Sequence, residues 1–152
     1  MSIVARLEGE QLRPDVELAA LVDEAAGDGA VVSFTGIARP RSSSGDAVDV
    51  LVLEHHPTLT RKSLEDIAAA AAKRFDVTHV RVVHRFGEVP AGQPIVFAGA
   101  ASPHRRSAFD AADYLMDRLK TEAIFWKRET GEAGSRWIEP TETDYSDRER
   151  WD

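Results

Sequence analysis

The sequence predicts an α+β fold, in which antiparallel strands are combined with three main helices. Short β-rich segments alternate with amphipathic helical segments, and the strands come in neighbouring pairs joined by short turns. Such pairing favours an α+β arrangement over a doubly wound parallel sheet. We therefore expect the element order β-α-β-β-α-β-β-α-β-β in a single domain that spans residues 1–152.

The first third of the chain is predicted to hold one helix among its strands. Pro14 favours a helix start and Gly27 a stop. The apolar stripe of this helix is Val16, Leu18, Leu21, Val22 and Ala25. The strands are rich in β-branched and aromatic residues and cover 2–7, 30–35 and 48–55. The segment 36–47 is rich in Gly, Pro and Ser, and we expect it to be a mobile loop.

A second helix is predicted to begin at Pro57 or Thr58, and a third to cover residues 106–120. The apolar stripe of the second helix is Leu64, Ile67, Ala68, Ala71 and Phe75. Further strands are predicted at 77–84, 94–101, 124–129 and 136–139. The strand at 94–101 is almost wholly apolar, which indicates burial on both faces. Residues 87–92 are expected to be a turn, and residues 141–152 a polar, exposed tail.

Composition and charge exclude several classes of protein. The 152 residues include no cysteine, which rules out disulfides, thiolate metal sites and a persulfide carried by this chain. A reducing cytoplasm is the expected compartment. We expect no membrane association, because no apolar run approaches about 20 residues. The net charge of -7 disfavours nucleic-acid binding. We assign no metal, because the adjacent His55 and His56 on a strand point to opposite faces.

Cations nevertheless gather around the third helix. Residues 102–128 hold six bases against four acids. His104, Arg105 and Arg106 lie at the start of the helix, where backbone N–H groups and the helix dipole favour anions. Arginines at this place indicate a negatively charged ligand. The alternative is that they are ordinary loop arginines turned to solvent.

Two lysines stand near the other end of this helix. Lys120 flanks the apolar face, where partial desolvation makes a neutral amine accessible. Alternatively, it extends to solvent at a helix C-terminus, where cations are favoured. Lys127 lies in a predicted strand, on the same face as Phe125 and Glu129. The alternative for Lys127 is a solvated edge strand, where lysine opposes aggregation.

Arg39 and Arg41 lie in the loop at 36–47. Arginines beside Gly and Ser are typical phosphate ligands, and they are equally typical surface residues. Both interpretations remain open from the residues alone.

Five segments together resemble one family, the large (catalytic) subunit of molybdopterin synthase. They lie in the family's order and span about residues 29–139. The segments are GAVVSFTG through Arg39, LEHHP (53–57), VHRFGE (83–88), SPHR with the following SAF (102–105 and 107–109), and the stretch from Met116 to Glu129, which contains LKT and FWKRE. The combination is far more specific than any one of these motifs.

The resemblance implies an α/β-hammerhead fold and a homodimeric core. It also implies a small ubiquitin-like sulfur-carrier subunit at each end, giving a heterotetramer. The thiocarboxylate on the carrier's C-terminal Gly-Gly would supply sulfur twice to cyclic pyranopterin monophosphate, which yields the dithiolene of molybdopterin. No permanently bound cofactor is implied. Because the sequence ends in Arg150-Trp151-Asp152 and not in Gly-Gly, we do not expect this chain to be its own carrier.

The motif match also implies which residues act. Lys120 and Lys127 correspond to the family's essential lysines. The substrate-binding positions are Ile37, Ala38, Arg39, His104, Arg105, Lys120, Lys127, Arg128 and Glu129. Relatives can carry a further arginine where this chain has Pro140-Thr141. Whether Arg136 takes its place is left open.

Two other functions remain possible from the sequence: a dimeric module that binds a phosphorylated metabolite without chemistry, and a docking scaffold for a ubiquitin-like protein. Geometry adds one expectation to the enzymatic function. If residues 105–120 form a continuous helix, Arg105 and Lys120 are roughly 22 Å apart along its axis. We therefore expect a site shared between two chains across a two-fold axis.

Overall fold

The computed structural model describes the whole chain, Met1–Asp152, and the predicted α+β architecture is confirmed. The eight strands are β1 (Ser2–Glu8), β2 (Ala30–Ile37), β3 (Val50–His55), β4 (His79–Arg85), β5 (Gly87–Pro90), β6 (Pro94–Ser102), β7 (Phe125–Gly131) and β8 (Gly134–Ile138). The four helices are α1 (Pro14–Glu24), α2 (Leu59–Arg74), α3 (Arg105–Glu122) and α4 (Glu142–Glu149). No helix is both long and apolar enough to cross a membrane.

The strands form two four-stranded sheets. The first has the order β1-β4-β6-β2 and the second β5-β3-β7-β8. All pairs are antiparallel except β1 and β4, which run parallel. Two helices, α1 and α2, and two strands, β2 and β3, lie between β1 and β4 in sequence. This single parallel pair departs from the predicted antiparallel arrangement.

The main core lies between the first sheet and the helices α2 and α3. Leu64 of α2 and Leu115 of α3 are fully buried against Val82 and Ala98 of the sheet. A smaller cluster on the opposite face contains Leu21 of α1 and Phe97. The strand β6 is thus covered on both sides, as its apolar sequence predicts.

The predicted buried face of α1 is correct for Leu21 and Ala25 but wrong for its other three residues. Val16, Leu18 and Val22 are exposed, whereas Leu21 and Glu17 are buried. The Glu17 carboxylate accepts hydrogen bonds from the guanidinium groups of two arginines on the sheet, Arg6 and Arg81. This ion pair orients the helix so that the Glu17 carboxylate faces inward together with Leu21 and Ala25. The helix also ends at Glu24, before the predicted stop.

The predicted turn at 87–92 contains a strand. Gly87 has φ of 88°, a conformation that favours glycine, and only Phe86 separates it from β4. The chain therefore turns sharply out of the first sheet and enters the second as β5. There, Val89 is buried opposite Leu51 of β3.

The predicted polar tail is a helix that packs on α3. The Thr141 side chain accepts from the Asp144 backbone N–H, and the Asp144 carboxylate accepts from the Thr141 N–H, which is a capping box. At the other end, the Trp151 indole donates to Asp117 at 2.7 Å and packs edge-on against Tyr114. The chain therefore has four helices where three main helices were predicted.

Smaller differences concern the ends of elements. The strand β3 begins at Val50, two residues later than predicted, and the β7–β8 turn is only Glu132-Ala133. The loop after β2 is closed by hydrogen bonds rather than irregular. The Ser42 N–H donates to the Asp46 carbonyl at 2.8 Å, and Arg41 bridges to Ala47.

Candidate active site

The two candidate catalytic lysines lie at one end of α3, where the chain turns into β7. The helix ends at Glu122 and the strand begins at Phe125, so only Ala123 and Ile124 separate them. Lys120 is in the last turn of α3, and Lys127 is the third residue of β7. They are close enough that the charge of Lys120 lowers the pKa of Lys127.

Lys127 is the desolvated member of this pair. Its strand lies between β3 and β8, so the alternative of a solvated edge strand is wrong. Burial lowers the pKa of Lys127 to about 8, and repulsion by Lys120 adds to the effect. Lys120 itself is exposed at the helix C-terminus. The sequence-based expectation of a desolvated amine therefore applies to Lys127 and not to Lys120.

His84 lies beneath the lysines as a buried, neutral side chain. Its ring stacks on Phe125 at 4.2 Å, and Phe125 is on the same face of β7 as Lys127. Burial, then the charges of Lys127 and Lys120, lower the pKa of His84 to about 3. Its Nδ1 donates to the Arg85 carbonyl at 2.9 Å, which leaves Nε2 unprotonated. The sequence places His84 in the sheet correctly, but nothing in it indicates this position under the lysines.

A carboxylate from the C-terminal helix also acts on the site. Asp144, in the first turn of α4, opposes the lowering of the Lys127 pKa. This residue lies in the segment 141–152, which the sequence predicts to be an exposed tail, so it is not among the predicted site residues. The pattern Thr141-x-x-Asp144 is a capping signal that could have located the helix.

A second cationic cluster lies at the opposite end of α3. His104 precedes the helix, and Arg105 and Arg106 are its first residues. All three side chains are exposed and none makes an ion pair. They line an open pocket of ≈ 470 Å³ together with Gly29, Ala30 and Pro103. The pocket combines exposed cations with a helix N-terminus, which suits an anion.

Three further predicted residues, Ile37, Ala38 and Arg39, lie at the end of β2 and the start of the loop that follows it. Ile37 ends β2 and is exposed, while Ala38 is buried in a cluster that includes Leu53, the residue paired with Lys127. Arg39 follows as an exposed side chain without a hydrogen bond or ion pair. The packing of Ala38 beside Leu53 thus brings the start of the Arg39 loop close to β3, the strand that pairs with β7.

Two further predicted residues continue β7. The buried Nε of Arg128 has no partner, and its guanidinium lies 5.7 Å from the Trp137 ring centroid. The Oε1 atom of Glu129 lies 4.0 Å from Nη2 of Arg136. The Arg136 guanidinium donates to Ser43 and Ser44 in the loop, so it supports that loop and does not fill the place of an arginine at 141.

The site therefore combines Lys127, which is easily deprotonated, with the neighbouring positive charge of Lys120. The neutral ring of His84 lies beneath them. A neutral amine can accept a proton, and the adjacent cation can hold an anion. Arg39 adds an exposed guanidinium without an ion pair, which suits phosphate or carboxylate. Arg128 lies on the opposite face of β7 from Lys127. One chain does not bring His104 and Arg105 to the lysines, since the whole of α3 lies between them.

Comparisons with known proteins identify the family of the chain. The family described as "MoaE protein" matches residues 7–122. The molybdopterin synthase catalytic subunit of Salmonella typhimurium is 49% identical over 82% of each chain, and that of Caulobacter vibrioides is 41% identical over 99% of this chain and 98% of the relative.

Solved structures agree in fold as well. The molybdopterin biosynthesis MoaE protein from Burkholderia ambifaria has a TM-score of 0.80 at 37% identity and covers 99% of this chain and 97% of its own. A complex of subunits 1 and 2 of the molybdopterin-converting factor from Helicobacter pylori matches in fold, with a TM-score of 0.68 at 20% identity over 93% and 90% of the chains. The resemblance seen in the sequence is confirmed: the chain belongs to the MoaE protein family, the family of molybdopterin synthase catalytic subunits.

Proposed function

We propose that this chain is the catalytic subunit of a molybdopterin synthase. It transfers sulfur from the thiocarboxylated C-terminal Gly-Gly of a small ubiquitin-like carrier to cyclic pyranopterin monophosphate, and two transfers give the dithiolene. The family assignment supports this reaction. The observation that assigns this reaction to particular residues is the pair Lys120 and Lys127, at the junction of α3 and β7.

The two lysines have different environments, and we assign them different roles. Lys127, with a pKa of about 8, has a far larger neutral fraction at pH 7 than a solvated lysine, so it acts as the proton acceptor. The positive charge of Lys120 holds the negative charge of the carrier's thiocarboxylate or of the reacting intermediate. His84 contributes no charge and keeps the floor of the site dry.

The substrate is a phosphorylated pterin, and the unpaired cations suit it. We assign its binding to Arg39, Arg128, His104 and Arg105, with Ile37, Ala38 and Glu129 beside them. Arg105 is at the start of α3 and Lys120 is in its last turn. Because α3 is an unbroken helix of 18 residues, these two cations lie too far apart to contact one substrate within one chain. Two chains related by a two-fold axis therefore build each site, as a homodimer within a heterotetramer.

The carrier subunit and the compartment complete the proposal. A carrier's flexible C-terminal tail can reach Lys120, which is exposed at the end of α3. The Helicobacter pylori neighbour is a complex of two subunits of the molybdopterin-converting factor, which supports assembly with a small partner. We place the reaction in the cytoplasm, where a reducing environment preserves thiocarboxylate and dithiolene sulfur.

Reconstitution tests this function. Purified chain, thiocarboxylated carrier and cyclic pyranopterin monophosphate should yield molybdopterin, measured by fluorescence of its oxidised product. A Lys127→Ala chain should lose about 10²-fold or more in turnover, the scale of a positioned acid–base group. A binding module or a docking scaffold would give no product even with the wild-type chain and saturating carrier, and that outcome would exclude the proposed reaction.

A further inference from the structure

The turn that joins α3 to β7 is held from outside by the beginning of α2. Both hydrogen-bonding groups of Ile124 are engaged by side chains of that helix. Thr60 Oγ1 donates to the Ile124 carbonyl at 2.5 Å, and Ser63 Oγ accepts from the Ile124 N–H at 3.1 Å. These contacts join segments more than 60 residues apart in the chain.

We call Thr60 and Ser63 the clamp, because their hydroxyls bind both hydrogen-bonding groups of Ile124. Each of the two hydroxyls makes a second hydrogen bond as well. Thr60 is completely buried, and its Oγ1 also accepts from the His56 N–H at 2.8 Å. The Ser63 hydroxyl donates to the Thr60 carbonyl at 2.6 Å. Each hydroxyl therefore donates one bond and accepts another, which fixes its orientation. A buried polar group left without a partner is costly, so this arrangement resists displacement.

The end of α2 that carries the clamp is itself held in place. The N-cap residue Thr58 makes no side-chain capping bond, and the His56 ring takes over that role. His56 Nδ1 accepts from the backbone N–H groups of Thr58 and Leu59, at 3.2 and 3.0 Å. This satisfies donors that a helix N-terminus leaves free and keeps Thr60 at a fixed place on the turn.

Ile124 lies between the two lysines of the proposed site, four residues after Lys120 and three before Lys127. Its peptide orientation sets the angle at which β7 leaves α3. We propose that Thr60 and Ser63 are positioning residues, which hold the Ile124 peptide and thereby fix Lys127 relative to Lys120. The inference rests on the proposed function of the lysine pair, but the clamp touches neither lysine and no reacting atom.

The decisive variant is Thr60→Val, which keeps the shape of the side chain and removes the hydroxyl. The Ile124 carbonyl and the His56 N–H then lose their shared partner. We expect kcat to fall by up to about 10²-fold with KM for the pterin unchanged, the scale of a misplacement by about 1 Å. Thr60→Ser keeps the hydroxyl and should restore kcat.

A second readout does not depend on turnover. Three charged or polar groups surround Lys127: Lys120 of α3, Asp144 of α4 and the neutral His84 of β4. If the turn loosens, water reaches Lys127 and Lys120 moves away. NMR titration of isotope-labelled lysine side chains in the Thr60→Val chain should then show a Lys127 pKa above about 8, moving toward 10.5.

Matched controls separate positioning from general stability. Thr78→Val removes a threonine hydroxyl in the same way, although from a half-buried residue. This hydroxyl donates to Asp28 and to the Ala101 carbonyl of β6. It should leave kcat and the Lys127 titration unchanged. If Thr60→Val fails to fold, Ser63→Ala carries the same test, because it leaves the Ile124 N–H without its acceptor.

Either of two results would overturn the inference. One is a folded Thr60→Val or Ser63→Ala chain with wild-type kcat and a wild-type Lys127 titration. The other is an equal loss of kcat in Thr78→Val at equal stability. An inactive wild-type reconstitution would instead contradict the proposed function, while the titration would still report whether the clamp positions Lys127.

Discussion

Lys127 owes its chemistry to its burial and to two charged neighbours. Burial in an interior strand disfavours its ammonium form, Lys120 repels it, and Asp144 partly compensates. The balance leaves an amine that can change its protonation state near neutral pH.

This balance predicts opposite pKa shifts in two variants. Asp144→Asn removes a carboxylate that stabilises the ammonium, so the pKa of Lys127 should fall below about 8. Lys120→Ala removes the repelling charge, so the pKa should rise. NMR titration of the lysine side chains measures both. A shift of the same sign in the two variants would show that these groups do not act on Lys127 as charges.

Arginine substitutions distinguish the roles of the two lysines. Lys127→Arg should lose about 10²-fold or more in turnover, because a guanidinium cannot become neutral at working pH. Lys120→Arg keeps the positive charge and should retain much more activity than Lys120→Ala. Single-turnover assays with saturating carrier provide the comparison. The reverse order, with Lys127→Arg the more active chain, would exchange the assigned roles.

The sequence identifies the lysines but not which of them is desolvated. Motifs locate Lys120 and Lys127, and alternation places Phe125 and Lys127 on one face. The desolvation of Lys127 depends on β3 and β8 flanking β7, and that strand order is a long-range property that local patterns do not encode. The place of His84 beneath the pair has the same origin.

At the scale of elements, the orientation of α1 shows how an ion pair overrides an apolar pattern. Burial alone would raise the pKa of Glu17, but hydrogen bonds from Arg6 and Arg81 outweigh it, and the net pKa is lowered. The carboxylate is thereby stabilised facing the first sheet. Three apolar side chains of the helix stay exposed as a consequence.

The Glu17 pair predicts a pH-dependent contribution to stability. Because the folded-state pKa lies below the ordinary value of 4.5, the contribution is present above that pH and is lost as the pH falls through the folded-state pKa. Glu17→Gln should lower the free energy of unfolding at pH 7 by about 1–3 kcal/mol. The difference from wild type should shrink in acid, as measured by urea unfolding.

An exposed ion pair at the start of the same helix offers a control for this prediction. Asp15 and Arg13 form an ion pair whose side chains are 66% and 62% exposed. Asp15→Asn should leave the urea midpoint nearly unchanged, because exposed pairs contribute little. A Glu17→Gln chain as stable as wild type at pH 7 would mean that the buried pair does not stabilise the fold.

Most elements follow from local patterns, and the exceptions have identifiable causes. The helices α2 and α3 lie where their apolar stripes predict, because each stripe faces one continuous core. The strand β5 has only four residues, too few to show the alternation of apolar and polar residues that predicts a strand. Its position depends on the turn at Gly87, which directs the chain into the second sheet. The helix α4 has no buried residue, so only its capping box distinguishes it from a polar tail.

At the scale of the whole molecule, cations are concentrated at both ends of α3. Lys120 and Lys127 lie at one end, and His104, Arg105 and Arg106 at the other. No Pro or Gly interrupts α3 to fold one end onto the other. A single chain therefore contains two half-sites, and a two-fold axis can join each to its complement.

A mixed dimer tests this shared sulfur-transfer site most directly. A Lys120→Ala chain and an Arg105→Ala chain, each inactive alone, are co-expressed with different tags, and the heterodimer is isolated and supplied with thiocarboxylated carrier and pterin. A shared site gives one intact and one doubly damaged site per heterodimer, so turnover should return to about half that of the wild-type dimer. If each site lies within one chain, every site carries a lesion and no activity returns, which would contradict the shared site.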